Sequence, residues 1–182
     1  MQNFTSIDPA SATGKTKQIF DGFQKALGTV PNLLKVLASS PAALKAYVNF
    51  DAALHEGTLP AKTREQIAIS VANANSCDYC LSAHTALGQL AGLNADELTR
   101  AQSADSPDPK TSAALHFALK LVQQRGLVQP SEVDALRAAG YTDGQITEIV
   151  ATVAINIFTN YFNHIAGTEI DFPIVKSASA AH

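Results

Sequence analysis

Apolar residues recur every three to four positions along most of this 182-residue chain, which is the spacing of one face of an α-helix. Residues that typically start or end helices separate the successive apolar stripes, among them Pro60, Gly126 and the pair Ser40-Pro41. No run shows the strict polar–apolar alternation, bounded by hairpin turns, that is typical of β-strands. The pattern predicts an all-α fold with a compact multi-helix domain.

Capping residues predict where individual helices begin. Asp8-Pro9 joins a typical N-cap residue to a proline suited to the first turn, so we expect the first helix to start there. Thr142 and Gln145 have the spacing of a capping box, in which each side chain bonds to the backbone of the other residue. We therefore expect the last helix to begin just after Thr142.

The last predicted helix combines an apolar face with a polar stripe. The apolar face includes Ile146, Ile149, Val150, Val153, Ile157 and Tyr161. The polar stripe consists of Asn156, Thr159, Asn160 and Asn163. We interpret the stripe as a buried hydrogen-bond network that fixes subunit packing, and the alternative interpretation is a pocket wall near reactive groups.

Length and composition place the chain among globular proteins that can build a hydrophobic core. Hydrophobic residues make up 46% of the chain and charged residues only 16%, whereas soluble domains average about 25% charged residues. So little surface charge favours self-association, and we expect a homo-oligomer. Residues 1–175 are predicted to form a single domain, and residues 176–182 a flexible tail.

Charge and hydropathy exclude several classes of partner. The net charge is −3 and the chain contains no block of Lys and Arg, which argues against nucleic-acid binding. The first residues lack the basic and apolar regions of a secretory signal. The longest strongly apolar stretch, near 149–158, is too short to span a bilayer. We therefore expect a cytoplasmic protein with neither a membrane nor a nucleic-acid partner.

Both cysteines of the chain lie in one short motif, CDYCLSAH, at residues 77–84. If the motif is helical, Cys77, Cys80 and His84 lie on one face. The exposed N–H groups of a first helical turn favour a thiolate, and an imidazole nearby can take the thiol proton. A sulfenic acid on Cys80 could then condense with Cys77 to a disulfide, which an external reductant would reopen. The motif therefore predicts a redox function.

Glu65 is the candidate group for orienting His84. It lies in the helix before the motif, on the side that also carries Ala68 and Ala72. A carboxylate that orients a base is a recurring part of nucleophilic active sites. By spacing alone, however, a solvated first-turn carboxylate that complements the helix dipole is the better explanation of Glu65.

Two other interpretations of the motif are open at this point. Cys77 and Cys80 could be two small buried hydrophobic residues. Alternatively, they could join His84 and Glu65 as ligands of a tetrahedral zinc ion. The sequence has no second Cys-x-x-Cys pair to complete a structural zinc module, and a bound metal would block the redox cycle.

Glu65, followed after eleven residues by Cys77-x-x-Cys80-x-x-x-His84, resembles the core motif of the alkylhydroperoxidase D-like group. That group belongs to the carboxymuconolactone decarboxylase-like superfamily. The resemblance extends over Phe4–Val175. It includes three further segments that look like the single-domain, peroxidase-related branch: TREQI at 63–67, NYFNH at 160–164 and TEIDFP at 168–173.

The resemblance implies an all-helical trimer or hexamer and a peroxidase that uses neither a cofactor nor a metal. Such an enzyme reduces a hydroperoxide and is reset by an external dithiol, either a protein or a lipoyl-type group. The resemblance makes Cys80 the peroxidatic thiol and Cys77 the resolving thiol that meets the reductant. His84 and Glu65 would form the proton relay. The best-known members carry a histidine just before the second cysteine, where this chain has Tyr79, so no role of a second histidine is transferred.

Two rival functions accompany this prediction. One is a decarboxylase-type enzyme of the same superfamily that acts on a small lactone or acid, a chemistry that does not require two thiols. The other is a non-enzymatic redox-sensing or metal-binding protein. Turnover with a dithiol reductant would separate the enzyme from a sensor, because a sensor need not cycle quickly.

Overall fold

The computed structural model describes residues 3–178, and this part of the chain forms nine α-helices. In chain order they are α1 (Gly14–Leu27), α2 (Asn32–Leu37), α3 (Pro41–His55), α4 (Ala61–Ala74), α5 (Asp78–Leu90), α6 (Ala95–Gln102), α7 (Pro109–Gln123), α8 (Pro130–Ala138) and α9 (Asp143–Ala166). The prediction of an all-α fold is therefore confirmed. Within the described residues, no helix has both the length and the apolarity needed to cross a membrane.

Helix α4 lies at the centre of the fold and packs against α5, α6, α7 and α9. Its residues Ile67, Ile69, Val71 and Ala72 are fully buried although they point in different directions around the helix. A helical segment that is buried on all sides lies inside the core, and each large apolar side chain buried there stabilises the fold by about 1.5–3 kcal/mol. Because α4 is central, the polar residues of its first turns are carried into the interior.

The first helix begins later than the Asp8-Pro9 pair predicts. Asp8 instead closes a single turn, in which its carboxylate accepts the Ala10 N–H at 2.9 Å and its carbonyl accepts the Ala12 N–H at 3.1 Å. Gly14 then adopts φ +56°, a left-handed conformation that ends the turn, and α1 starts only from this glycine. The side-chain bond of Asp8 thus stabilises a local turn in place of a helix.

The two faces of α9 are arranged differently from the prediction, although the predicted capping box is present. Thr142 Oγ1 accepts the Gln145 N–H, and Gln145 Oε1 accepts the Thr142 N–H, both at 3.2 Å. The polar stripe of α9 is buried, on a helix that packs against α4 and α5, whereas Val150 and Tyr161 of the predicted apolar face are exposed. The stripe therefore faces the interior of its own subunit, which corrects its interpretation as a subunit-packing network.

After α9 the chain runs back over the start of α5. Val175 donates its N–H to Ser82 Oγ at 2.9 Å, and Ser177 donates its N–H to Asp78 Oδ1 at 2.9 Å. Lys176 adds an ion pair to the same aspartate at 2.8 Å. The predicted flexible tail, residues 176–182, includes 179–182, which lie outside the described residues. The remaining residues of that segment hold the first turn of the cysteine helix.

Glu148 of α9 holds the loop that leads into α4. Its Oε1 accepts the Thr58 N–H at 3.0 Å, and its Oε2 accepts the Leu59 N–H at 2.6 Å. A Cβ on Gly57 would lie only 2.8 Å from Glu148 Oε2, so a larger residue at position 57 would displace the end of the Glu148 side chain. These bonds set the entry angle of α4 and so the position of Glu65 in its second turn.

We expect Glu148→Gln to lower the free energy of unfolding by about 1–2 kcal/mol at neutral pH, because charge-assisted bonds to the N–H groups of Thr58 and Leu59 are weakened. Partial burial would raise the pKa of Glu148, but the hydrogen bonds from Thr58 and Leu59 lower it below its usual value. The stabilisation is therefore full above the usual glutamate pKa and is lost as the pH falls through the lower, folded-state value. Urea unfolding at neutral and acidic pH would measure both effects.

The exposed Glu56 supplies a matched control, because Glu56→Gln changes the same functional group outside these contacts. Equal losses of stability in the two variants, or a Glu148→Gln effect that persists unchanged in acid, would contradict this account of the loop.

Candidate active site

The cysteine motif forms the start of α5, and Cys77 is the N-cap residue of that helix. Ser76 adopts φ +54° at the sharp break after α4, and Cys77 then has an extended backbone. The Cys77 sulfur accepts the Cys80 N–H at 3.3 Å. The two cysteines are free thiols, both buried, within one turn of each other.

Cys80 lies in the more polar environment of the two thiols. Asn163 of α9 donates a hydrogen bond from Nδ2 to the Cys80 sulfur at 3.2 Å. Burial would raise the pKa of Cys80, but hydrogen bonds from Cys77 and Asn163 and the charge of His84 outweigh it and lower the pKa to about 7. Cys80 is therefore the thiol that ionises near neutral pH.

The pKa of Cys77 is shifted in the opposite direction to that of Cys80. Its side-chain hydrogen bond to Cys80 and its burial raise the pKa of Cys77 above the usual value for a thiol. In this coupled pair Cys80 ionises first, while Cys77 keeps its proton and stabilises the Cys80 thiolate with a hydrogen bond. A thiolate at Cys80 beside a thiol at Cys77 is the starting state that a nucleophile and a resolving thiol need.

Glu65 and His84 form a hydrogen-bonded ion pair between α4 and α5. Glu65 Oε2 lies 2.9 Å from His84 Nδ1, and both side chains are largely buried. Burial would lower the pKa of His84, but the adjacent Glu65 carboxylate raises it above its usual value. Among residues 3–178, no hydrogen bond joins His84 to the Cys80 sulfur, so the imidazolium acts on the thiolate through its charge or through an intervening water.

A cavity of about 440 Å³ opens onto Cys80, His84 and Glu65. Most of its wall is apolar or aromatic and includes Phe23, Leu27, Leu33, Tyr47, Tyr79, Leu87, Leu90 and Phe172. The volume is within the range of sites that bind small organic ligands. The ionisable groups thus form a polar patch in a mostly apolar cavity, which suits an apolar molecule with one reactive polar end.

Cys77 borders a different opening, a depression of about 260 Å³ next to the end of α9. Asn163, His164 and Thr168 also line it. Asn163, which contacts the Cys80 sulfur, lines this depression, and Tyr79 lines both openings. The two thiols of the motif border different openings, so a substrate and a reductant need not compete for one entrance.

The zinc site considered from the sequence would require Cys77, Cys80 and His84 to converge on one ion. In the part of the chain that the structure describes, no three His, Cys, Asp or Glu side chains are placed to hold a metal ion. Cys77 and His84 instead line different openings.

Asn163 and Tyr79 shape the site although neither is among the predicted catalytic residues, and the position of Asn163 agrees with the alternative interpretation of the polar stripe as a pocket wall near reactive groups. Asn163 is 83 residues from Cys80, and its only signal in the sequence is its place in the polar stripe. Tyr79, at the position of the family's second histidine, accepts the Leu33 N–H at 3.0 Å and packs edge-on against Phe172, with ring centroids 5.9 Å apart. Tyr79 thus ties α5 to α2 while its ring lines the cavity.

His164 lies at the rim of the Cys77 depression. Its Nε2 atom is 2.8 Å from the carbonyl oxygen of Asn75, so this nitrogen carries the proton and donates. The bond joins the end of α9 to the segment that precedes the cysteines. His164 is therefore placed as a support for this segment.

The unequal protonation of the thiols predicts selective alkylation. We expect the rate at which iodoacetamide labels Cys80 to rise with pH around a midpoint near 7, because only the thiolate reacts and the Cys80 pKa is about 7. Peptide mapping by mass spectrometry would follow each cysteine separately, with Cys77 as the slow internal reference. A Cys80 midpoint near the ordinary thiol value of about 8.5 would contradict the assignment.

Comparison with known proteins agrees with the fold and the motif. The profile of the Carboxymuconolactone decarboxylase family matches residues 41–124, which include α3 to α7 and the whole cysteine motif. The comparison with curated proteins found no match.

Three solved structures are similar over nearly the whole chain. A peroxidase-related protein from Ralstonia eutropha JMP134, described as an alkylhydroperoxidase AhpD core, is 29% identical with a TM-score of 0.84, covering 93% of this chain and 92% of that one. A peroxidase-related protein from Silicibacter sp. TM1040 is 26% identical with a TM-score of 0.79, covering 92% of each chain. The debrominase Bmp8, in complex with 2,3,4-tribromopyrrole, shares the fold at 22% identity and a TM-score of 0.80, covering 94% of this chain and 92% of that one.

The helical architecture, the family match across the cysteine motif and the agreement with peroxidase-related structures lead to one conclusion. Residues 41–124 match the Carboxymuconolactone decarboxylase family, and the chain as a whole is similar to alkylhydroperoxidase D-like, peroxidase-related proteins.

Proposed function

We propose that this protein is a thiol-dependent peroxidase that reduces hydroperoxides through a dithiol–disulfide cycle of Cys77 and Cys80. The observation that carries the proposal is the Cys80 thiol, whose pKa is lowered to about 7, on the wall of a substrate-sized cavity beside the His84–Glu65 pair. The peroxidase-related description of two similar structures supports the same reaction class.

In the oxidative half of the cycle, the Cys80 thiolate attacks the terminal oxygen of a hydroperoxide, R–O–O–H. A sulfur–oxygen bond forms, the oxygen–oxygen bond breaks, and Cys80 becomes a sulfenic acid. The departing alkoxide takes the proton of the His84 imidazolium and leaves as the alcohol. Glu65 holds His84 in the protonated, donating form, because its carboxylate raises the pKa of the imidazole.

In the resolving half, the Cys77 sulfur attacks the sulfur of the Cys80 sulfenic acid. The disulfide bond forms, and the departing hydroxide takes the Cys77 proton and leaves as water. An external dithiol, on a protein or a lipoyl-type group, then exchanges with the disulfide and is itself oxidised. The depression beside Cys77 offers this reductant an approach separate from the substrate cavity.

We propose further that the protein works as a homo-oligomer, a trimer or a hexamer, in the reducing cytoplasm. Exposed apolar residues follow one side of α9 at helical spacing: Val150, Phe158, Tyr161 and Ile165. Together with the low charge content, they favour contact with a second copy. Light scattering in solution would give the mass, and a monomer across micromolar concentrations would contradict this assembly.

Turnover with a dithiol tests the proposed function. Cumene hydroperoxide and dithiothreitol should be consumed in equal amounts over many enzyme equivalents, and prior alkylation of Cys80 should stop the reaction. One oxidation without turnover would favour a redox sensor. Activity on a small lactone or acid that survives Cys77→Ser/Cys80→Ser would favour the decarboxylase-type alternative.

Reductive dehalogenation of an aromatic molecule is a second candidate. The apolar, partly aromatic wall of the 440 Å³ cavity suits a flat ring, and the fold is shared with a debrominase. The dithiol would again supply two electrons, a hydrogen would replace the halogen, and a halide ion would be released. Incubation with 2,3,4-tribromopyrrole and dithiothreitol would detect this activity as bromide release, and its absence would leave the peroxidase as the better proposal.

A further inference from the structure

Asp51, on α3, is a second carboxylate at the site that the peroxidase cycle described above does not use. It lines the 440 Å³ cavity together with Glu65 and His84. Its side chain is 43% exposed, whereas that of Glu65 is only 14% exposed. Asp51 therefore reaches both the solvent and the groups around His84, while Glu65 is largely enclosed.

A small cavity connects Asp51 with the Glu65–His84 pair. Its volume is about 30 Å³, which is room for about two water molecules. Asp51, Glu65 and His84 line it, and α9 adds the side chains of Thr152 and Asn156. A water needs two to four polar partners to be held in such a space, and these side chains provide them. A short chain of water can therefore join the two carboxylates.

Asp51 is held in this position by its neighbours on α3 and α4. His55 Nε2 lies 3.7 Å from Asp51 Oδ2, and Arg64 Nη2 donates to His55 Nδ1 at 3.4 Å. Burial raises the pKa of Asp51 despite the opposing charges of His55 and His84, which brings the carboxyl closer to neutral pH.

The reductive half of the cycle needs a proton from solvent. The attacking reductant is a dithiol monoanion with one proton, whereas the starting state of the enzyme holds one proton on Cys77 and one on the His84 imidazolium. The sum is one dithiol monoanion, one protein disulfide, neutral His84 and one proton from solvent giving one oxidised dithiol, the Cys77 thiol, the Cys80 thiolate and the His84 imidazolium. The second proton must reach the Cys80 side of the site, where His84 and Glu65 are largely buried.

We propose that Asp51 is the solvent port of the proton relay, which takes protons from solvent and passes them through water in the small cavity to Glu65 and His84. Asp51 is a positioning residue in this scheme, since it acts through His84 and does not touch the substrate. The inference rests on the proposed function, because the relay serves the Cys80 thiol.

The charged and titratable groups around Asp51 set the sign of the expected pH effect. They are Tyr47 and His55 on α3, Arg64 and Glu65 on α4, and Cys80 and His84 on α5. The residues of α9 that line the small cavity carry no charge. Asp51 helps to raise the pKa of His84, so Asp51→Asn should move the alkaline limb of the rate profile to lower pH.

Chemical rescue of Asp51→Asn tests the port. In dilute buffer we expect turnover of cumene hydroperoxide with dithiothreitol to fall about tenfold, because proton delivery slows. Added imidazole, a small mobile proton carrier, should restore most of the rate in a concentration-dependent way. Wild type should not respond to imidazole, and neither should the control Asp21→Asn, which removes an exposed carboxylate paired with Lys17 on α1. Asp51→Glu should keep most of the activity.

If Asp51→Asn keeps the turnover and the pH profile of wild type, with Cys80-dependent activity intact, Asp51 does not carry protons from solvent and the proposal is wrong. A loss that imidazole does not restore would also overturn it, because it would indicate a structural role of Asp51; a lowered melting temperature would support that reading. Peroxide turnover in wild type that does not depend on Cys80 would instead overturn the proposed function, and the port with it.

Discussion

Replacement of Cys80 by serine is expected to abolish hydroperoxide turnover, with a loss of about a thousandfold or more. The serine hydroxyl does not ionise near pH 7, so it cannot supply the nucleophile that the Cys80 thiolate provides. The substitution changes one atom in a buried position that already accepts a hydrogen bond from Asn163, so the fold should persist. Steady-state rates with cumene hydroperoxide and dithiothreitol would measure the effect, and circular dichroism would verify the helix content.

Cys77→Ser is the matched variant, because it makes the same chemical change one helical turn away. We expect it to release one equivalent of alcohol rapidly, since Cys80 can still form a sulfenic acid, and then to turn over slowly. The opposite result, in which Cys80→Ser keeps the single oxidation and Cys77→Ser loses it, would reverse the roles of the two thiols.

Loss of His84, the proposed proton donor, should have the next largest effect on hydroperoxide turnover. We expect His84→Gln to lower kcat/KM by about a hundredfold, since general acid catalysis contributes at least that factor and the imidazolium charge also favours the Cys80 thiolate. Glu65→Gln should lower it less, by about tenfold, because the histidine remains but its pKa falls. The pH–rate profile of each variant would separate these effects.

The shape of the Glu65→Gln profile follows from the charges. Without the carboxylate, His84 loses its proton at lower pH, so the alkaline limb of the profile moves down in pH. Because His84 is then protonated less of the time, its positive charge favours the Cys80 thiolate less. The acid limb of the profile, near pH 7 in wild type, therefore moves to higher pH. The active pH range should therefore narrow from both sides. His116→Gln, on the groove between α7 and α8, is the control, and an unchanged profile in Glu65→Gln would contradict the relay.

Most local features of this molecule can be predicted from its sequence. The spacing of apolar residues predicts the all-α fold, and the Thr142–Gln145 pair marks the start of α9 because capping depends only on neighbouring residues. The first helix is mispredicted for an equally local reason, since the Asp8 turn and the left-handed Gly14 separate the N-cap signal from the helix. The cysteine motif brings two thiols into one turn because its spacing is helical.

The long-range features of the site could not be predicted in the same way. Which face of α9 is buried depends on what it packs against, and its polar stripe turns inward because Asn163 bonds to Cys80 and Asn160 bonds to Asn75. Asp51 approaches His84 only because α3 lies against the same cavity. Such contacts between helices far apart in the chain leave no periodic signal in a single sequence.

The central claim is that Cys77 and Cys80 form one redox-active pair. Intact mass and a free-thiol count, before and after one equivalent of hydroperoxide with no reductant present, test it most directly. The account predicts prompt loss of both thiols, a mass lower by two hydrogen atoms, and a Cys77–Cys80 link in the peptide map. Thiols that remain reduced in the presence of peroxide would contradict it.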